Sequence, residues 1–569
     1  MPPVLSHVLG AVVLGGAFAG YLTTLYRRRW VDVAFLPATI CAGSALAVFA
    51  GGLLGGLALT ATGLVLLGNL ALGYALLRHR KAIRAALLEP AVLTFILFCA
   101  ALAVALRGRR FVQYDNFSHW AVIVKVLLGT DEFPDQGDAV IGFRSYPPGS
   151  ASFLYAVCRF LGSGEDRVMF AQATMLAAAA VAVHAVALRR RWCGPLLALG
   201  AMVILATTGI ALDGVQVDTL LAAYLFVPLV LAARHAADLR RTWPVATVVV
   251  GFLPTIKASG SLLAAIAVVT IVAVSLARRG RLRWRVLPVV LAPALVAYSW
   301  NRHVVTTFPD GAGRYAMPRD PAQIPVKTPA QRREIIDAFA RFLATETQLW
   351  LTLALAAVIL LALVAVGALR RRSAVLVAVG GALAVLAWVL AVLTVYLTAM
   401  PYREASHLAS ARRYIGTAVT LVLLLVLTAA GALFDRAHGW LLLPAAAAAL
   451  ALTLPFLPAA AYLVQPQQLA GTPRGQADIA LARSGRLAPG RVCVIEDRRD
   501  SGYRRFLLRY LLARASVVER YVTTERHPPD ALDGCRYAVL LEPNPLAEEL
   551  LRRAAFSVPS PPPVVATRQ

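Results

Sequence analysis

Asp115 and His119 stand four residues apart in "YDNFSHW" (114–120), just after an apolar run long enough to cross a membrane. On a helix that spacing puts a carboxylate and an imidazole on one face. A carboxylate so placed can take the proton of an acceptor hydroxyl. Two plainer uses exist for the pair. An acid in a first helical turn stabilises the helix, with the histidine hydrogen-bonded to it. Alternatively, the two share a metal ion, although no third ligand stands out. Downstream, Phe117, Trp120, Ala121, Val124 and Leu128 fall on one stripe. "DNFSHWAVIVKVLLG" therefore reads as an amphipathic helix that ends at Gly129 and lies in the membrane interface, with Trp120 at headgroup level.

Four further stretches carry polar residues beside apolar runs. In "FRSYPPGS" (143–150), Tyr146 precedes two prolines that impose an extended-to-helix start, and Gly149 allows close approach. "DGVQVDTL" brings Asp213 and Asp218, which as carboxylates at a membrane boundary also read as solvated caps. Lys257 interrupts a continuous apolar run, which costs a few kcal/mol unless it snorkels or meets an anion. "REASHLASARRY" adds Arg403, Glu404, His407, Arg412, Arg413 and Tyr414. A phosphate group suits a fork of guanidinium donors. Carboxylates, a histidine, a lysine and an arginine pair together are the equipment for transfer from a lipid-phosphate donor: a base for the hydroxyl, and cations for the charge that develops on the leaving phosphate.

The elements that must position these residues are membrane spans. The 569-residue chain is 59% hydrophobic and only 15% charged, against about 25% charged in a soluble domain. Its mean hydropathy is +0.68. This is the composition of a polytopic membrane protein. The net charge of +26 does not imply nucleic acid, because Arg and Lys sit in short clusters between apolar runs. Apolar runs fall at 4–25, 32–51, 54–77, 90–106, 168–188, 194–211, 219–233, 243–256, 260–277, 286–304, 347–369, 374–398, 414–434 and 439–463, giving about fourteen spans. The first lacks a basic leader and a cleavage signature and is expected to be retained. Basic clusters follow every odd-numbered span, so cytoplasmic clusters put both termini outside. To keep that parity, "PPGSASFLYAVCRFLG" (147–162) must lie in the interface or re-enter, and "KASG" (257–260) must be the outer turn of a hairpin. The outer loops 107–167, 305–346 and 399–413 then carry the chemistry.

At these residues the chain resembles the GT-C superfamily of integral-membrane glycosyltransferases. The resemblance is carried, in order, by "YDNFSHW", "SYPPG", "DTLL" (218–221), "IKASG" (256–260) and "ASARRY" (409–414), across roughly residues 90–435. Several bacterial envelope-polysaccharide members look alike in this order. The resemblance implies a sugar donor linked to polyprenyl phosphate, a glycan, lipid or protein acceptor, and inversion at the anomeric carbon. It makes Asp115 the catalytic base and has His119, Lys257, Arg412 and Arg413 contact the donor phosphate or sugar. Tyr146, Asp213, Asp218, Glu404 and His407 remain candidates for acceptor or sugar contacts. Some members use a divalent metal and others do not. Here Asn116 follows Asp115 where some members carry a second acid, which weakens a metal claim, and about three spans precede the one entering the catalytic loop. The expected site is extracytoplasmic, on a plasma (inner) membrane protein.

The chain thus divides into helices at 1–89, a catalytic membrane module at 90–463, a linker at 464–490, a small α/β domain at 491–556 and a disordered tail at 557–569. In the small domain "RVCVIED" and "CRYAVLLE" read as strands around a helix in "SGYRRFLLRYLLARA". It has no nucleotide-binding glycine motif. Cys493 and Cys535 are expected as two buried thiols, with pairing as the alternative in an oxidising compartment. The fold class is therefore mainly α, a polytopic membrane bundle with a C-terminal α/β domain. Two other functions fit less well. A transporter or flippase of lipid-linked sugars would place charges at the bilayer midplane and show internal repeats. A non-catalytic scaffold of an envelope-synthesis complex would be indifferent to Asp115→Asn.

Overall fold

The computed structural model describes residues 3–138, 141–187, 193–208, 212–235, 239–279, 284–309, 327–365, 372–436, 457–484, 487–488, 490–496, 502–512, 518–522, 532–542, 544–558 and 562–568. They form two compact units: Met1–Gly108 with Val124–Gln136 and Phe143–Val464, and Arg109–Ile123 with Gly137–Gly142 and Gln465–Gln569.

The first unit is a bundle of apolar helices, as a multi-pass membrane protein requires. Nine described helices are long and apolar enough to cross a membrane, or ten if Arg80–Leu87 and Pro90–Ala105, bent by 67°, form one span. Three expected spans, 194–211, 243–256 and 286–304, are the helices Cys193–Thr207, Leu239–Ile256 and Leu287–Thr307, which are too short or too polar to join that set. The expected last span, 439–463, falls mostly outside the described residues.

Helix Asp218–His235 is the centre of the bundle. It is buried from Asp218 through Ala232, in keeping with a helix that is apolar all round. Helices Leu239–Ile256, Gly260–Arg279, Arg372–Thr398 and Ala411–Arg436 pack on it. At the amino-terminal side, Pro3–Arg28 lies against Leu57–Arg78. A Cβ on Gly20 would stand 1.9 Å from the Gly68 carbonyl oxygen, so these backbones meet through small residues, the usual device where lipid offers no hydrophobic drive. The 147–162 segment forms the helix Gly149–Leu161, which is too short to join the candidate spans and is buried against neighbouring helices of the bundle.

The second unit contains a five-stranded sheet: β1 Val492–Glu496, β2 Val518–Val522, β3 Tyr537–Leu540, β4 Phe556–Ser557 and β5 Val564–Arg568. The order is β2-β1-β3-β5-β4. β1 runs parallel to β2 and β3, and β5 antiparallel to β3 and β4. "RVCVIE" has no polar alternation because a central parallel strand is covered on both faces. Three expectations are corrected here. The tail 557–569 is not disordered: Val564, Val565 and Ala566 are buried and pair with β3, so the sheet extends past the expected boundary at 556. The linker 464–490 contains the helix Pro473–Ser484, which packs on β5. Cys493 and Cys535 are not thiols but a disulfide, with Cα atoms 5.9 Å apart. They sit in the apolar core with Ile495, Leu540 and Leu551, and a cross-link over 42 residues contributes about 2–4 kcal/mol. In protein purified without reductant and then denatured, these two cysteines should resist alkylation until a reductant is added, as peptide mass spectrometry would read. Alkylation of both without reductant would contradict the bond.

The first outer loop also departs from expectation. Residues 109–123 and 137–142 do not stay with the membrane module but fold with the carboxy-terminal segment. The cause is the burial of Phe111 and Phe117 against the helix Tyr503–Leu512.

Candidate active site

Four of the nominated residues come together in the bundle: Tyr146, Asp218, Lys257 and Arg413. The Lys257 ammonium lies 2.8 Å from one Asp218 oxygen. Arg413 Nε is 3.4 Å from the other. Both cations also face the ring of Tyr414, with Lys257 Nζ at 4.8 Å and the Arg413 guanidinium carbon at 5.0 Å from its centroid. The Asp218 side chain is 2% exposed and that of Lys257 12%.

Local sequence explains the convergence. Asp218 opens the central helix, Lys257 sits in the turn between Leu239–Ile256 and Gly260–Arg279, and Arg413 and Tyr414 lie in the first turn of Ala411–Arg436. Loop parity put all three on one side, and they meet. Two glycines make the turns fit. A Cβ on Gly149 would sit 2.1 Å from the Thr255 side chain, and one on Gly260 2.0 Å from the Leu253 carbonyl oxygen. The glycines of "SYPPG" and "IKASG" thus let those motifs close on each other. Trp300 Nε1 donates to the Ser145 carbonyl, next to Tyr146, at 2.8 Å. Trp388 Nε1 donates to the Tyr414 carbonyl at 2.7 Å.

Within this trio one carboxylate faces two cations. The helix starts at Asp218, Gly260 and Ala411 add the positive ends of three dipoles. Burial by itself would lower the Lys257 ammonium, but Asp218, then Tyr414 and Tyr146, more than reverse this and hold it above its ordinary value. Burial pushes the Tyr146 hydroxyl up to about 12, with Lys257 pulling it down and Tyr414 and Asp218 raising it further. At neutral pH the site is a buried cation pair with phenol donors, suited to an anion.

The remaining candidates stand elsewhere. Arg412, 85% exposed, pairs with Glu346 at 3.5 Å, so the two adjacent arginines do not act as one fork. Its place at i−1 from Arg413 turns it to another face of the helix. Glu404 and His407 belong to the short helix Tyr402–Ser406 and its cap, where His407 Nδ1 lies 2.8 Å from the Arg403 carbonyl oxygen. Asp213 is half-buried in the turn before the central helix. Asp115 and His119 belong to the second unit. There the expectation of an interfacial amphipathic helix is corrected. Asn116–Trp120 form a wide π-type turn leading into the helix Ala121–Thr130, and Phe117 and Trp120 are buried in protein, not lipid. His119 is 3% exposed, while Asp115 keeps partial access to solvent. Among the described residues no three His, Cys, Asp or Glu side chains gather as a metal site.

Reading the sequence missed Trp300 and Trp388, and it missed Tyr503 and Arg474 in the second unit. A tryptophan within an apolar helix gives no signal of the backbone carbonyl it bonds.

The fold is that of a multi-pass helical membrane protein with a small carboxy-terminal mixed sheet. No protein-family model matches the sequence, and no curated protein matches it. Among solved structures the chain is similar to ArnT from Cupriavidus metallidurans bound to undecaprenyl phosphate, at 14% identity and a TM-score of 0.47, over 84% of this chain and 97% of that one. Against ArnT in the apo state the identity is 14% and the TM-score 0.43, over 84% and 96% of the two chains.

Proposed function

We propose that the protein is a membrane glycosyltransferase that moves a sugar from a polyprenyl-phosphate donor to an acceptor hydroxyl, with inversion, at the extracytoplasmic face, in the building of envelope glycan or lipid. The observation that supports it best is the buried Asp218–Lys257–Arg413–Tyr414 cluster, whose two buried cations suit a lipid phosphate. In the reaction, Asp115 takes the proton of the acceptor hydroxyl. The acceptor oxygen forms its bond to the anomeric carbon as the bond from that carbon to the phosphate oxygen breaks. The donor phosphodiester carries one negative charge and leaves as a phosphate monoester carrying two. Lys257 and Arg413 meet that added charge where it develops, which is where preorganised cations accelerate a reaction. Asp218 keeps the two cations in place before the donor arrives. No step requires a metal.

Sugar transfer from a panel of polyprenyl-phosphate sugars by the purified full-length protein tests this reading. Transfer from at least one donor, with release of the lipid phosphate, is the expected result. Binding of lipid-linked sugar without transfer would favour a transporter or flippase, and neither would favour a scaffold.

A further inference from the structure

The segment that carries Asp115 is held along its whole length by the carboxy-terminal domain. Arg109 donates to the Gln465 carbonyl at 2.9 Å. Gln467 exchanges two hydrogen bonds with the Arg110 backbone, each of 2.8 Å. The Phe111 carbonyl oxygen lies 3.5 Å from Arg474, which is itself fully buried and paired with Asp478 at 3.1 Å. The Tyr503 hydroxyl donates to the Val112 carbonyl. The Tyr503 ring then meets Tyr114 at 6.5 Å and, edge to face, Phe117 at 5.6 Å between centroids. Phe506 and Tyr510 complete the aromatic seat against Tyr114 and Phe117.

Tyr503 therefore touches Val112, Tyr114 and Phe117, residues on both sides of Asp115. We propose that Tyr503 is a positioning residue for Asp115, because the carboxy-terminal segment of the same unit clamps the loop that carries the proposed base. This rests on the transferase reading above. One backbone hydrogen bond and two ring contacts around Asp115 restrict where that carboxylate can go, and a displacement of about 1 Å at a reacting group costs on the order of a hundredfold in rate. Burial pushes the Tyr503 hydroxyl up to about 12, against a downward pull from Arg474, so it stays protonated and remains a donor at neutral pH.

The test compares wild type, Tyr503→Phe and Tyr503→Ala in the full-length protein, by amide hydrogen exchange over residues 109–120 and by the kinetics of sugar transfer. Tyr503→Phe keeps the ring and loses only the bond to Val112. Its kcat should fall about tenfold. Tyr503→Ala loses the seat as well, and kcat should fall about a hundredfold. In both, the KM for the donor should stay within about twofold, with kcat expressed per folded protein because an unfolded fraction alone would lower apparent kcat. Exchange over 109–120 should quicken in Tyr503→Ala while the β1 and β3 amides stay protected. Unchanged exchange there would overturn the clamp. Unchanged kcat with quickened exchange would overturn the positioning role. The transferase reading is judged separately, on transfer by the wild type.

Discussion

Asp115→Asn should lower the turnover of sugar transfer by about 10²–10⁴-fold, the usual worth of a general base, and leave donor binding near wild type. The amide is isosteric with the carboxylate but has no lone pair basic enough to take the hydroxyl proton. Asp115 keeps partial access to solvent, so the change should cost little stability, unlike a change at the neighbouring buried Asn116 or Phe117. Initial rates at saturating donor, with binding followed by the shift in unfolding temperature on adding polyprenyl phosphate, would check both halves. Equal turnover in two folded proteins would remove Asp115 from the chemistry and move attention to Asp213 or Glu404.

The second large effect concerns the buried cluster, where two substitutions should diverge. Lys257→Met leaves the Asp218 carboxylate with only the more distant Arg413. Removing one partner of a buried pair costs about 3–5 kcal/mol of stability. It also removes one of the two cations offered to a phosphate, so binding of polyprenyl phosphate should weaken at least tenfold, a charge-assisted bond being worth about 1.5–3 kcal/mol. Asp218→Asn destabilises the free protein for the opposite reason, since two buried cations lose the charge between them. An incoming phosphate replaces that charge. The rise in unfolding temperature on adding polyprenyl phosphate should therefore be larger than wild type in Asp218→Asn and smaller in Lys257→Met. If the ligand shifts all three proteins alike, the cluster merely joins helices and the anion binds elsewhere.

Much of this site was legible because membranes make charge conspicuous. Lys257 stands alone in an apolar run, Asp218 opens another, and two arginines appear where loop parity leaves none. The parity of basic clusters placed all of them on one side, and three helix ends do meet there. What the sequence hid is partnership. Arg412 and Arg413 are identical letters side by side, yet one is turned to Glu346 and the other to Asp218. The stripe Phe117–Trp120 has the spacing of a face meant for lipid, and burial in protein demands the same apolar pattern, so periodicity could not tell the two apart. The tail failed for a related reason. Three prolines before Val564 read as a segment without structure, but proline is tolerated where a strand begins, and the valines that follow pair with β3.

The hold on the Asp115 loop spans an unusual distance along the chain. Arg110 and Gln467 are 357 residues apart, and Val112 and Tyr503 are 391. During synthesis, then, the loop emerges long before its seat, and the described apolar helices from Glu165 to Asp435 are made in between. Long-range closure of this kind is slow to form and late to reward. The newly made protein accordingly passes through a stage in which its spans can be inserted while the loop with the proposed base has nowhere to dock. That residue would find its seat only after those helices had been made. A chain cut short before residue 465 would be an inserted membrane protein whose reactive segment never settles.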